Sequence, residues 1–105
     1  MPGIDDSFRR LVLNDGTVLD KSECGYSDKK LWCYLKDLTF AEAFQVFSDP
    51  EKIKTIKFEY GIQTLYTRIT YTGFSDIDVI MKHEWSIDIC LTGDNITITQ
   101  EEVSS

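Results

Sequence analysis

Five consecutive apolar residues, Leu31-Trp32-Cys33-Tyr34-Leu35, constrain this chain more than any other stretch. In an extended strand successive side chains point to opposite faces, so Leu31, Cys33 and Leu35 face one way and Trp32 and Tyr34 the other. A strand that is apolar on both faces belongs in the middle of a sheet or under a cover. A helix follows, expected over about residues 39–48. Thr39 with Glu42 three places on reads as a capping box, each side chain satisfying a backbone N–H that the first helical turn leaves open. Phe40, Ala43, Phe44 and Phe47 recur at helical spacing, and three phenylalanines on one stripe predict a helix buried against a sheet. From Lys54 the period changes to two, with Ile56, Phe58 and Tyr60 on one face and Thr55, Lys57 and Glu59 on the other.

Around this strand–helix–strand unit the remaining sequence reads as further strand. Phe8 to Leu13 places Leu11 and Leu13 on one face, and Asn14-Asp15-Gly16 predicts a tight hairpin returning through Thr17-Val18-Leu19. Asp20 to Lys30 is polar, holds Gly25 and predicts a loop or an irregular edge strand. A hairpin through Gly61 to Gln63 returns as Leu65 to Thr72; Ile77 to Met81 and Trp85 to Leu91 follow, and Gly93-Asp94-Asn95 turns the chain into Ile96 and Ile98. Four strands in succession, from Lys54 to Leu91, predict an antiparallel meander. The expected fold is α+β: a mostly antiparallel, twisted sheet of about six to eight strands with one packed helix. At 105 residues the chain fits a single domain, 1–105, with 1–7 and 100–105 expected as flexible polar tails.

Charge bears on the partners. Eighteen acids against eleven bases give a net charge of −7, which argues against direct nucleic-acid binding and against anionic membranes, since both need clustered positive charge. The excess sits at one end: from Gly73 onward Lys82 is the one lysine or arginine among seven acids, of which Asp76, Asp78, Glu84 and Asp88 form a candidate acidic face. Aromatic residues in excess of the core's needs are the other candidates for contact, because a rigid ring buries much area at small entropic cost. Tyr26, Trp32, Tyr34 and Tyr66, with Arg68 beside the last, make up that set.

Signals for catalysis are sparse. His83, the one histidine, lies between Lys82 and Glu84 in an expected hairpin bend, where it reads as a solvated turn residue and not as a general base. Cys24, Cys33, Cys90 and His83 lack the close ligand pairs of a structural zinc site, and three cysteines without a secretory signal read as reduced thiols. The glycines occur singly at turns, with no phosphate-binding loop among them. No metal, no cofactor and no enzymatic activity are expected, and no apolar run is long enough for a membrane span.

Taken together, Leu13-Asn14-Asp15-Gly16-Thr17, Cys24-Gly25-Tyr26-Ser27-Asp28 before Leu31-Trp32, Thr39-Phe40-Ala41-Glu42-Ala43-Phe44 and Phe47-Ser48-Asp49-Pro50-Glu51 resemble small accessory proteins encoded in prophages of low-GC Gram-positive bacteria, over roughly Leu11 to Phe74. The resemblance implies a phage-encoded protein made in the cytoplasm of a bacterial host. Together with the acidity it leads to an expected non-catalytic, acidic anti-defence inhibitor, anti-CRISPR-like, that binds a host immunity protein with a basic surface. Two alternatives stand beside it: a small virion or tail component that forms homo-oligomers through its sheet edges, and a protein that sequesters a signal nucleotide.

Overall fold

The structure, a computed structural model, describes residues 8–62 and 65–104. Nine strands and one helix follow one another as β1 Phe8–Leu13, β2 Val18–Asp20, β3 Ser22–Ser27, β4 Lys30–Lys36, α1 Phe40–Phe47, β5 Thr55–Ile62, β6 Leu65–Thr72, β7 Asp76–Lys82, β8 Ser86–Thr92 and β9 Thr97–Ser104. The expected single sheet is two sheets: sheet A in the order β2-β1-β5-β6-β9 and sheet B in the order β3-β4-β8-β7, with every neighbouring pair antiparallel. The mostly antiparallel character and the single helix agree with the expected fold class, though sheet dominates over helix.

Each hairpin stays within one sheet, and each connection between hairpins changes sheet. β1–β2 and β5–β6 belong to sheet A, β3–β4 and β7–β8 to sheet B, and β9 returns to A beside β6. The expected meander from β5 to β8 is therefore two hairpins in different sheets. Its apolar faces explain the break. Ile56, Phe58 and Tyr71 of sheet A and Ile87, Ile89 and Leu91 of sheet B are all buried in one core, with Leu11, Leu13, Leu31, Cys33 and Leu35. Laid side by side in a single sheet those faces would have nothing to cover them; laid face to face they cover each other.

Two glycines make the switch of sheet physically possible. Gly73, at φ +105°, leads out of β6, and a Cβ built there would stand 2.6 Å from the Asn95 carbonyl oxygen. Gly93 leads out of β8, and its Cβ would overlap the Gly73 carbonyl oxygen. The two crossings thus run against each other with no room for a side chain. Backbone bonds fasten them: Gly73 N–H donates to Lys54 O at 2.9 Å, Ser75 N–H to Thr92 O at 2.9 Å and Gly93 N–H to Lys29 O at 3.2 Å.

Local signals in the sequence hold where they are short-range. The Asn14-Asp15-Gly16 hairpin forms, with Leu11 opposite Leu19, and the capping box closes with both reciprocal bonds present. β4 is central in sheet B, as its two apolar faces predict. Tyr26, in the stretch read as a loop or an irregular edge strand, lies in edge strand β3. Gln100 to Ser104, expected in a flexible tail, belongs to β9, in register with β6 from Ser104 opposite Leu65 to Thr97 opposite Thr72; the expectation for 1–7 lies outside the described residues.

The helix stripe divides. Ala43 and Phe47 are fully buried, whereas Phe40 is 44% and Phe44 56% exposed, their rings stacked on each other at 6.5 Å. At roughly 100° per residue Val46 lies on one side of Ala43 and Phe47, and Phe40 and Phe44 on the other. The core takes the Val46 side, with Val46 partly buried against it beside Ala43 and Phe47. Phe47→Ala is expected to destabilise the domain by about 3–4 kcal/mol, and Phe44→Ala by less than about 1 kcal/mol, as read from urea unfolding midpoints.

Candidate functional site

The outer face of sheet B gathers most of the residues singled out in the sequence. Alternation places Leu31, Cys33 and Leu35 inward, so Trp32 and Tyr34 stand outward from the centre of the sheet. Across the strands Tyr34 lies in a row with Glu23, Asp88 and Met81, and Trp32 in a row with Gly25, Cys90 and Val79. Gly25 leaves open space beside Trp32, with no atom within 4 Å of where its Cβ would be. The result is a shallow depression of about 430 Å³ with Glu23, Trp32, Tyr34 and Asp88 in its lining. Trp32 is 39% exposed and Met81 49%.

Acids border this surface. Asp76 is in register with Thr92 and, through it, with Lys30, and its carboxylate accepts from the Ile77 N–H at 2.8 Å. Asp78 sits at an irregularity in β7, between Ile77 and Val79, and pairs with Lys30 Nζ at 3.1 Å. Asp88 meets His83 Nε2 at 2.9 Å, so His83 is a turn residue held by a carboxylate of the neighbouring strand. Glu84 is exposed in the same turn, beside Trp85, which has the parity of the buried Ile87, Ile89 and Leu91 but is 76% exposed just before that strand begins. Trp32, Tyr34, Asp76, Asp78 and Asp88 are thus brought to one face, with Glu84 at its end.

Tyr26, Tyr66 and Arg68 lie elsewhere. Tyr26 is on the opposite side of β3 from Gly25 and stacks on Tyr71 at 6.0 Å. Tyr66 and Arg68 are on the outer face of sheet A, where Arg68 is engaged in a ladder of charges and is not a loose contact residue. Asp20, Arg10, Glu59, Arg68 and Glu101 stand in register, one from each strand of the sheet and alternating in sign. Arg10 Nε donates to Glu59 Oε1 at 2.8 Å, Arg68 Nη2 and Nε to Glu59 Oε2 at 2.7 and 2.8 Å, and Arg68 Nη1 to Glu101 Oε1 at 3.0 Å. Burial alone would raise the Glu59 carboxyl, but hydrogen bonds from Arg10 and Arg68, together with their positive charge, hold it below the usual carboxylate range.

A cleft that sequence reasoning missed opens where edge strand β3 meets the inner face of sheet A. Cys24, Phe58, Tyr60, Ile69 and Tyr71 line about 390 Å³, with Arg9 and Glu23, paired at 2.9 Å, in its wall. Phe58 and Tyr60 stack at 5.5 Å. The period-two pattern of β5 does place Phe58 and Tyr60 on the inner face; what it cannot reveal is that sheet B stops at β3 and leaves Tyr60 half-covered. Cys24 Sγ lies 3.8 Å from the Tyr71 hydroxyl, and burial pushes its thiol up to about 11 against the opposing effect of that contact. Cys33, directly opposite Cys24, is fully buried and raised further, first by burial and then by the neighbouring thiols. Cys90 points to the other face of sheet B. Among the described residues no three His, Cys, Asp or Glu side chains gather as metal ligands, and no helix is long and apolar enough to cross a membrane.

Compared with known proteins, the chain matches no family model, no curated protein and no solved structure.

Two measurements follow from these environments. Because the Glu59 carboxyl is held below its unfolded value, its contribution is complete above about pH 4.3 and is lost as pH falls through the folded value. Glu59→Gln is expected to cost about 2 kcal/mol at pH 7, and the difference from wild type is expected to shrink as the pH is lowered below about 4.3 and the native carboxylate in turn takes up its proton; urea midpoints measured over a descending pH series report the change. Iodoacetamide is expected to label Cys24 slowly at neutral pH, the rate climbing toward pH 11, while Cys33 and Cys90 react only on unfolding, as peptide mapping would show.

Proposed function

We propose that this chain is a non-catalytic binding protein that docks through the outer face of sheet B onto a basic surface of a partner protein. The observation that carries the reading is the placement of Trp32 and Tyr34 side by side at the exposed centre of that face, with Asp88 directly beside Tyr34 and Asp76 and Asp78 on the bordering strand. An aromatic centre with a charged border is the anatomy of a contact surface: the rings supply the area and the anchors, and the acids speed encounter and set orientation more than they set affinity. The net charge of −7 adds long-range attraction for a cationic partner.

The resemblance to prophage-encoded accessory proteins supplies the setting for the proposal, a bacterial host cytoplasm. There the fitting partner is a host immunity factor whose basic groove serves nucleic acid, and the chain acts as an anti-defence inhibitor by occupying that groove. The aromatic-lined cleft at Phe58, Tyr60 and Tyr71 favours a second reading, capture of a small planar molecule. Its one lining cation, Arg9, is matched by Glu23, which suits a neutral ring better than a signal nucleotide.

Tagged protein recovered from host lysate and analysed by native mass spectrometry tests the proposal. Wild type is expected to carry one basic host protein; Trp32→Ala is expected to weaken that complex by about 2 kcal/mol, and Asp76, Asp78 and Asp88 all changed to lysine to abolish it, with circular dichroism of both variants unchanged. A complex that survives both changes would remove the sheet B face from consideration, and an added mass of small-molecule size would move the function to the cleft.

A further inference from the structure

Four strands form the edges of the two sheets, and three of them are blunted. β2 has three residues, β3 contains Gly25, and β7 carries an irregularity between Ile77 and Val79. Short, glycine-containing or bulged edges resist pairing with another chain. β9 has none of these features. It runs eight residues in unbroken register with β6, and no described strand pairs with its other side. Thr97, Ile98 and Thr99 are residues that favour extended structure, and no proline interrupts the strand.

The ladder on the outer face of sheet A ends at this edge. Asp20, Arg10, Glu59, Arg68 and Glu101 alternate in sign strand by strand, and the last of them is a carboxylate whose side chain is 53% exposed. The position a sixth strand would occupy beside Glu101 is the position of a cation. Glu102 faces the opposite side of β9, opposite Thr67, so both faces of the edge present an acid.

We propose that β9 receives an extended basic segment of a partner protein, which adds to sheet A as a strand and sets an arginine or lysine beside Glu101. Main-chain bonds to the open edge supply the affinity and the ladder selects the charge, as in strand addition generally. A second copy of this chain is a poor occupant, since pairing β9 with β9 would bring Glu101 and Glu102 of both copies into one seam of like charge. The site lies on the other sheet from Trp32 and Tyr34 and is independent of the function proposed for that face.

The test uses a short synthetic peptide alternating threonine and valine around a central arginine, and the same peptide with glutamate at the centre. Amide hydrogen exchange of the full chain is followed by nuclear magnetic resonance. The arginine peptide is expected to slow exchange along β9 and to bind about tenfold more tightly than the glutamate peptide; in Glu101→Arg the preference is expected to reverse, a result that a loss of folding would not produce. Unchanged exchange with either peptide, equal binding of both, or a chain that sediments alone as a dimer with β9 already protected would each overturn the proposal.

Discussion

The close passage of Gly73 against Gly93 is the constraint on which the rest of this fold depends. At that point the chain leaves sheet A for sheet B and, twenty residues later, leaves sheet B for sheet A, and the two departures touch through backbone alone. A methyl group at either position would drive one crossing away from the other. The hairpins could then no longer lie over each other, and Tyr71, Phe74 and Leu91 would lose the cover that buries them. Burying a large apolar side chain is worth about 1.5–3 kcal/mol, so the crossing protects more free energy than any single surface pair contributes.

Stacking the hairpins fixes which faces meet and which are left to solvent, and the two outer faces solve that exposure differently. On sheet A every strand contributes a charge to one row, and each arginine there is shared with a carboxylate on a neighbouring strand, so the row bonds itself from Arg10 to Glu101. On sheet B Lys30 pairs with Asp78 toward one margin and His83 reaches in to Asp88 beside Tyr34, while Trp32 and Tyr34 occupy the centre. A face whose polar groups bond one another gains little from a partner. A face with rings at its centre and carboxylates along its border gains area and charge complementarity together. That difference is why contact is proposed for sheet B's face, and for sheet A only at the edge that no described strand pairs.

How much of this was legible in the sequence follows from the range of each interaction. Asn14-Asp15-Gly16 and the Thr39–Glu42 box depend on atoms within four residues of each other, and both form as read. The two apolar faces of Leu31 to Leu35 predicted a central strand, because that inference needs only the alternation of a single strand. Failure came where the decision lies with distant chain. The pattern of four strands from Lys54 to Leu91 is the same whether they lie in one sheet or in two, and the choice rests on the Gly73–Gly93 contact and on which faces find cover. The phenylalanines of α1 share a stripe, yet the core takes only the side nearer Val46. Arg10, Glu59, Arg68 and Glu101 are scattered over most of the chain, and their ladder exists only through the register of three strand pairs.

The distribution of acids follows the same logic and separates charge that stabilises from charge that is free to attract. Glu23, Asp37, Glu51, Glu59, Asp78 and Glu101 each have a basic partner within 3.1 Å. The net charge of −7 arises because acids outnumber the bases able to match them. Part of the excess is carried by Asp76 and Glu84 around sheet B's face and by Glu102 on β9. Solubility alone would be served by carboxylates placed anywhere. Here some of them lie beside an exposed aromatic centre and another lies on the one long, regular edge among the described residues, the placement that a cationic partner at either proposed surface would require.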